Sequence, residues 1–148
     1  MRRSSRLFPF PDVNVWLALT FRGHIHHVAA NKWLASIPDD LELCFCRFTQ
    51  ISLLRLLTTD AVMKDNVLSQ QGAWRVYDAW LENGRAAFLE EPPSVEILFR
   101  SLSQSRQRAP KDWADSYLSA FAQVSGIELV TFDQSLHRRT AGSLLLKA

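Results

Sequence analysis

The sequence predicts an α/β fold in which residues 1–148 form a single domain, a three-layer α/β/α sandwich with a mainly parallel sheet of four to five strands. Short apolar runs alternate along the chain with segments whose apolar residues recur at helical spacing. A chain of 148 residues has the size of one domain and is long enough to bury a core. Its composition, with 47% hydrophobic and 22% charged residues, is typical of a globular protein.

The first half of the chain predicts two strands, each followed by a helix. The apolar residues before Asp12 form the first strand, and Gly23 is expected to end the helix after it. Thr49 can cap the helix that follows the second strand. The remaining elements expected in this half are helices over about residues 15–22, 25–36 and 50–57, and a second strand over residues 41–48.

Capping and stop residues mark the helices of the second half. Ser69 suits an N-cap, Asn83 with Gly84 suits a C-terminal stop, and Asp112 can cap a helix that stops at Gly126. The elements expected here are helices over about residues 70–82, 94–103, 113–124 and from 134, and strands over residues 86–89, 127–132 and 144–146.

Charge and cysteine content exclude some classes of function. The formal net charge of +2 permits a polyanionic partner without requiring one. Cys44 and Cys46 lie in an apolar run without further metal ligands at suitable spacing, so we interpret them as reduced core residues of a cytoplasmic protein. No apolar run approaches the ~20 residues that a membrane span needs. The basic residues 1–6 are not followed by the apolar segment of a signal peptide.

Three aspartates occupy comparable places in the expected fold. Asp12 ends the first strand, Asp133 ends a late strand, and Asp115 lies in the first turn of the helix that leads into the late strand. In a parallel sheet these three places meet at one edge, where ligands of open α/β sheets bind. Each residue also has a local explanation, because Asp12 or Asn14 can cap the first helix, and Asp115 and Asp133 suit helix starts.

Three carboxylates that share one pocket predict a divalent cation. Close carboxylates repel one another, and a hard cation removes that repulsion. Mg²⁺ prefers oxygen ligands and keeps waters, and Mn²⁺ is an alternative. The chemistry expected of such a centre is hydrolysis of a phosphodiester, in which the metal orients a water and neutralises charge on the phosphate.

Three segments of the chain resemble motifs of one known family. Residues 11–19, PDVNVWLAL, look like the opening motif of PIN-domain proteins, particularly VapC-type toxins of toxin–antitoxin systems. Residues 113–118, WADSYL, and residues 130–133, VTFD, resemble the later acidic motifs in order and spacing. The resemblance implies a Mg²⁺-dependent endoribonuclease that is often a homodimer. It also implies a cognate antitoxin that occupies the active-site groove.

The resemblance assigns roles to individual residues. Asp12, Asp115 and Asp133 are expected to hold the metal and, with Gln50, to be catalytic. Many relatives carry Glu where Gln50 stands, so a lower metal affinity is expected here. The residues expected to contact the RNA are Thr49, Arg55, Asn14, Arg108 and Lys111.

Two of these assignments leave alternatives open. Arg55 suits a structural ion pair as well as a substrate phosphate. The neutral side chain of Gln50 also fits a non-catalytic nucleic-acid- or protein-binding module on the same fold.

Overall fold

The computed structural model describes residues 7–147, and its helices and parallel strands confirm the expected α/β class. The expectation about a signal peptide falls on residues 1–6 and lies outside the described residues. The strands are β1 Pro9–Pro11, β2 Leu43–Phe45, β3 Ala86–Phe88, β4 Glu128–Thr131 and β5 Leu144–Leu145. The helices are α1 Val13–Thr20, α2 His27–Ser36, α3 Arg47–Leu57, α4 Asp60–Met63 with a 3₁₀ turn Lys64–Asn66, α5 Gln70–Glu82, α6 Val95–Leu102, α7 Asp112–Ser125 and α8 Gln134–Arg138.

The strands form two parallel ladders that lie side by side. One ladder has the order β1-β4-β5 and the other pairs β2 with β3, while β1 contacts β2 without ladder hydrogen bonds. The sequence of β1 explains this gap. The N–H of Asp12 donates to Val130 in β4, so the alternate positions Pro9 and Pro11 turn their backbone towards the other edge. Proline has no N–H, and β1 therefore offers no donor on that edge.

Side chains alternate from the strands into two cores, one on each face of the sheet. Leu43 and Phe45 pack into the core around α1, α3 and α5, whereas Cys44 points into the core around α6 and α7. This alternation is the period of two of a β-strand, and it produces the three layers that the sequence predicts. Trp16 of α1 stacks on Phe45 at 3.8 Å between ring centroids. The end of β2 therefore lies beside the first turns of α1.

The structure corrects three details of the expected helix boundaries. α1 ends at Thr20, before Gly23. Thr49 is not the N-cap of α3, because the chain turns at Cys46 and Thr49 closes a capping box by accepting a hydrogen bond from the Cys46 N–H at 3.0 Å. Asp112 is not the N-cap of α7. It lies inside that helix, and its carboxylate accepts a hydrogen bond from the distant Arg139.

Two expectations about the class of protein can be compared with the described residues. Cys44 and Cys46 are both buried and free of a disulfide, as expected for core thiols. Between residues 7 and 147, every helix is too short or too polar to cross a membrane.

Candidate active site

Asp12 lies where β1 passes into α1 and is tied to two elements at once. One carboxylate oxygen, Oδ1, accepts a hydrogen bond from the Val15 N–H at 3.0 Å, so Asp12 is indeed the N-cap of α1. The other, Oδ2, accepts a hydrogen bond from the Thr131 hydroxyl at 2.5 Å. Only 6% of Asp12 is exposed. The capping role accounts for one oxygen and leaves the second directed at the end of β4.

Thr131 is a site residue to which the sequence analysis gave no role. It is fully buried, and its hydroxyl donates to Asp12 while accepting a hydrogen bond from the Asp133 N–H at 2.9 Å. One hydroxyl therefore connects the ends of two neighbouring parallel strands, each of which carries an acid. A sequence signal exists, because Ser and Thr commonly bond the backbone N–H two residues later, but nothing local indicates the bond to Asp12.

Asp133 and Asp115 approach the same edge from two helices. Asp133 is exposed and is the N-cap of α8, where its Oδ1 accepts a hydrogen bond from the Leu136 N–H at 3.1 Å. Asp115 is half-buried in the first turn of α7. The local capping explanation is thus also correct for Asp133, which keeps a second oxygen available.

The three aspartates act on one another electrostatically. Burial raises the pKa of Asp12 from 3.8 to about 6, against hydrogen bonds from Thr131 and Val15 that lower it, and the charges of Asp133 and Asp115 raise it further. Burial and the charge of Asp133 also raise the pKa of Asp115, whereas the charge of Arg139 lowers it. Carboxylates from three separate segments therefore share one electrostatic field at the carboxyl edge of the sheet.

This donor set suits a hard divalent cation. Across residues 7–147, no three or more His, Cys, Asp or Glu side chains are arranged as a closed metal site. Mg²⁺ does not need one, because it is commonly held by one or two carboxylates and completes its shell with waters and substrate phosphates. The buried carboxylate of Asp12, whose ionised form is disfavoured by burial and by its acidic neighbours, fits a place that a cation stabilises.

Gln50 and Thr49 lie at the start of α3, where the chain leaves β2. Gln50 is 6% exposed, and its Oε1 accepts a hydrogen bond from Arg47 Nη1 at 2.7 Å. The guanidinium of Arg47 also lies 4.5 Å from the centroid of the Phe88 ring. Thr49 is fully buried, and its hydroxyl is used within the capping box. The contacts of Thr49 are those of a structural residue.

The remaining residues expected to contact RNA are exposed. Asn14 lies in the first turn of α1 beside Asp12, and Arg108 and Lys111 lie in the loop before α7. Arg55 lies in the last turn of α3, at the end away from Gln50. Within residues 7–147 none of the three basic side chains forms an ion pair, so the structural pair considered for Arg55 is not observed there.

Arg139 is a second residue that the sequence analysis missed. It caps the C-terminus of α8, and its guanidinium donates to Asp112 Oδ1 at 3.0 Å and to Ser116 Oγ at 2.7 Å. Both partners lie on α7 beside Asp115. No local pattern indicates these contacts, because they join positions more than 20 residues apart.

Comparisons with known proteins place the fold in a family. A model of the PIN domain matches residues 10–142. Ribonuclease VapC41 of Mycobacterium tuberculosis is 43% identical over 126 residues, which cover 82% of this chain and 86% of that protein. The crystal structure of M. tuberculosis VapC20, described as a toxin that cleaves the sarcin–ricin loop, superposes with a TM-score of 0.67 at 15% identity and covers 94% of this chain and 99% of that one. VapBC2 of Rickettsia felis, solved with a promoter DNA fragment, has a TM-score of 0.55 at 13% identity and covers 93% of this chain and 96% of that one.

Proposed function

This chain belongs to the PIN-domain family, and from that premise we infer that it is a VapC-type ribonuclease, the toxin of a toxin–antitoxin system. It hydrolyses RNA phosphodiester bonds. The observation that carries this conclusion is the shared field of Asp12, Asp115 and Asp133, which come from three segments of the chain. The match to the PIN domain over residues 10–142 spans all three.

We propose that these three aspartates hold Mg²⁺ or Mn²⁺. A bound ion would polarise the phosphate of the RNA and lower the pKa of the attacking water. The chain's own part is to hold the ligands in place. Thr131 fixes the carboxylate of Asp12, and the α1 N-terminus favours its ionised form. Because the pKa of Asp12 is about 6, this carboxylate is mostly ionised at neutral pH.

We propose that exposed cations next to this edge position the RNA. Arg108 and Lys111 precede the helix that bears Asp115 and have no acidic partner in the described part of the chain, so they are available for phosphates. Asn14 follows Asp12 by two residues, in the first turn of α1, and can contact the same strand of RNA. Gln50 supports the site as a neutral residue, and its carbonyl oxygen can accept a hydrogen bond or weakly ligate the ion.

An RNA-cleavage assay tests the function. Purified protein is expected to cut a structured or single-stranded RNA with Mg²⁺ and to stop with EDTA, and Asp12→Asn is expected to abolish cleavage. The control is Asp65→Asn, which makes the same change at an exposed residue of the 3₁₀ turn. If Asp12→Asn cleaves at the rate of the parent, the assignment is wrong. Metal-independent RNA binding without turnover by the parent favours the non-catalytic module that the neutral Gln50 allows.

We also propose that the protein forms a homodimer through an apolar patch made by α3, α6 and α7. Ile51 and Trp113 are more than half exposed there. Aromatic contacts of Tyr117 with Phe48 and with Phe99 join the three helices into one surface. Light scattering tests this: the parent is expected to be a dimer and Ile51→Asp a monomer, and a monomeric parent would contradict the proposal.

The partner expected in the cell is a cognate antitoxin that covers the acidic edge, and the expected location is the cytoplasm. Co-expression of the parent with the product of the neighbouring upstream gene tests this pairing. A stable complex in which RNA cleavage is lost supports it, and full cleavage by the complex contradicts it.

A further inference from the structure

The contacts of Arg139 join the two helices that carry Asp115 and Asp133. Its two donor nitrogens reach different residues of α7, Asp112 Oδ1 at 3.0 Å and Ser116 Oγ at 2.7 Å. A third contact comes from the same helix, because the Ser119 hydroxyl donates to the Arg139 carbonyl at 3.3 Å. Both the side chain and the backbone of Arg139 are therefore fixed to α7.

Asp115 lies on the face of α7 that Arg139 contacts. Residues 112, 115, 116 and 119 follow the i, i+3, i+4, i+7 spacing of one helical face. Arg139 bonds to Asp112, Ser116 and Ser119, the three other members of this set. The bonds to Arg139 therefore hold the face of α7 that carries Asp115, while Leu118 and Phe121 anchor the helix in the core.

Asp133 lies at the opposite end of the same short helix. α8 spans Gln134–Arg138, with Asp133 as its N-cap and Arg139 as its C-cap. A helix of this length changes little in shape, so a fixed Arg139 fixes the position of Asp133 relative to α7. The positive charge of Arg139 also acts on Asp115, where it opposes the negative charge of Asp133.

We propose that Arg139 is a positioning residue that sets the spacing of Asp115 and Asp133 and thereby their joint affinity for a divalent cation. This inference rests on the proposed function. Arginine suits the role because its planar guanidinium reaches two acceptors in fixed directions, whereas the ammonium of lysine is a point charge. Residues that orient metal ligands through hydrogen bonds typically change metal affinity or activity ~10–100-fold when they are replaced.

Arg138 provides a matched control on the same helix. It is exposed, and its side chain donates to Gln134 Oε1, one turn earlier on the same helix, at 3.0 Å. Arg138→Gln and Arg139→Gln remove the same charge from adjacent positions. A difference between them therefore reports the contacts of Arg139 and not the net charge of the protein.

Calorimetry with Mg²⁺ and Mn²⁺, without RNA, gives a readout that is independent of activity. Arg139→Gln is expected to weaken binding by about tenfold or more, and Arg139→Lys is expected to fall between it and the parent. Arg138→Gln is expected to bind as the parent does. Thermal melts in EDTA show which variants are folded. If Arg139→Gln fails to fold, Ser116→Ala removes the shorter of the two guanidinium bonds, together with the 3.4 Å bond of the same hydroxyl to the Leu102 carbonyl. It keeps the charge of Arg139 and is expected to weaken binding in the same direction.

Two results would overturn the inference while leaving the nuclease intact. One is a folded Arg139→Gln whose Mg²⁺ affinity lies within twofold of the parent, and the other is an Arg139→Lys that restores parental affinity in full. A parent that binds no divalent cation would overturn the metal proposal and this inference together. Cleavage kinetics of Arg139→Gln give a further check. The KM for RNA is expected to stay constant, whereas the Mg²⁺ concentration that gives the half-maximal rate is expected to rise.

Discussion

Replacing Asp12 by asparagine is expected to stabilise the metal-free protein while it removes cleavage. Burial raises the pKa of Asp12 from 3.8 to about 6. At about 1.4 kcal/mol for each tenfold change in proton affinity, ionising this buried carboxyl at neutral pH costs about 3 kcal/mol of folding free energy. Asparagine is as good an N-cap as aspartate. It loses the charge that the α1 N-terminus favours, worth ~0.3–1 kcal/mol. Its amide nitrogen also cannot accept the hydrogen bond that the Thr131 hydroxyl donates to Asp12 Oδ2, which costs about 1 kcal/mol more. The net gain expected is therefore about 1 kcal/mol.

The difference in unfolding free energy between the parent and Asp12→Asn is expected to grow with pH. Below pH 3.8 the carboxyl is protonated in both the folded and the unfolded chain, so the parent and the variant differ little. As the pH rises towards 6, the unfolded chain ionises first and the parent loses stability, whereas the Asp12→Asn variant does not. The difference is expected to reach its full size above pH 6 and to remain constant from there.

Urea unfolding in EDTA at several pH values measures the difference. In a thermal melt near pH 7.5, about 1 kcal/mol corresponds to roughly 2–4 °C for a domain of this size. Mg²⁺ is expected to make the parent the more stable of the two, since an ion at ten times its dissociation constant adds about 1.4 kcal/mol to the parent only. Equal unfolding free energies of parent and variant at pH 7.5, or a difference that is the same at pH 4 and pH 7.5, would refute the reasoning. Asp65→Asn is the control.

Three further predictions concern other residues of the proposed active site and RNA-binding surface. Thr131→Val removes the hydroxyl that donates to Asp12 and accepts from the Asp133 N–H. It is expected to lower the free energy of unfolding in urea by ~1–3 kcal/mol and to raise the pKa of Asp12, and Thr131→Ser is expected to restore both. A valine variant as stable as the parent contradicts this. Gln50→Glu adds a negative charge at the end of β2, part of which the bonded Arg47 guanidinium offsets. It is expected to lower the Mg²⁺ concentration at half-maximal cleavage by a small factor, and an unchanged or higher concentration counts against a supporting role for this residue. Arg108→Ala is expected to weaken RNA binding and to reduce the salt slope of log Kd by about 1, which a titration of Asp12→Asn protein with labelled RNA at three salt concentrations measures.

Local signals in the sequence predicted the elements whose ends depend on local chemistry. Ser69 accepts a hydrogen bond from the Gly72 N–H at the start of α5, as an N-cap should. Gly126 ends α7 in the left-handed conformation at φ 68°. The signals failed where a distant partner decides the outcome. Asp112 reads as a cap, but its carboxylate is taken by Arg139, which lies 27 residues away.

The site was predictable in part for the same reason. The ends of parallel strands meet at one edge by topology, so the approach of Asp12 and Asp133 followed from the pattern alone. The hydroxyl of Thr131 that bridges them spans 119 residues and depends on the register between β1 and β4, which places Phe10 opposite Leu129. Side-chain contacts across such a register have no period or motif in the sequence.

The two prolines of β1 leave a seam through the middle of the sheet, where β1 and β2 meet without ladder hydrogen bonds. Such a boundary favours cooperative opening along its length, with β1, β4 and β5 exchanging as one unit and β2 and β3 as another. Asp12 and Asp133 follow strands on one side of it, and Gln50 follows a strand on the other. Amide deuterium exchange should therefore show one level of protection for β1, β4 and β5 and another for β2 and β3. If the two units separate transiently, Gln50 moves away from the site while Asp12 and Asp133 stay together.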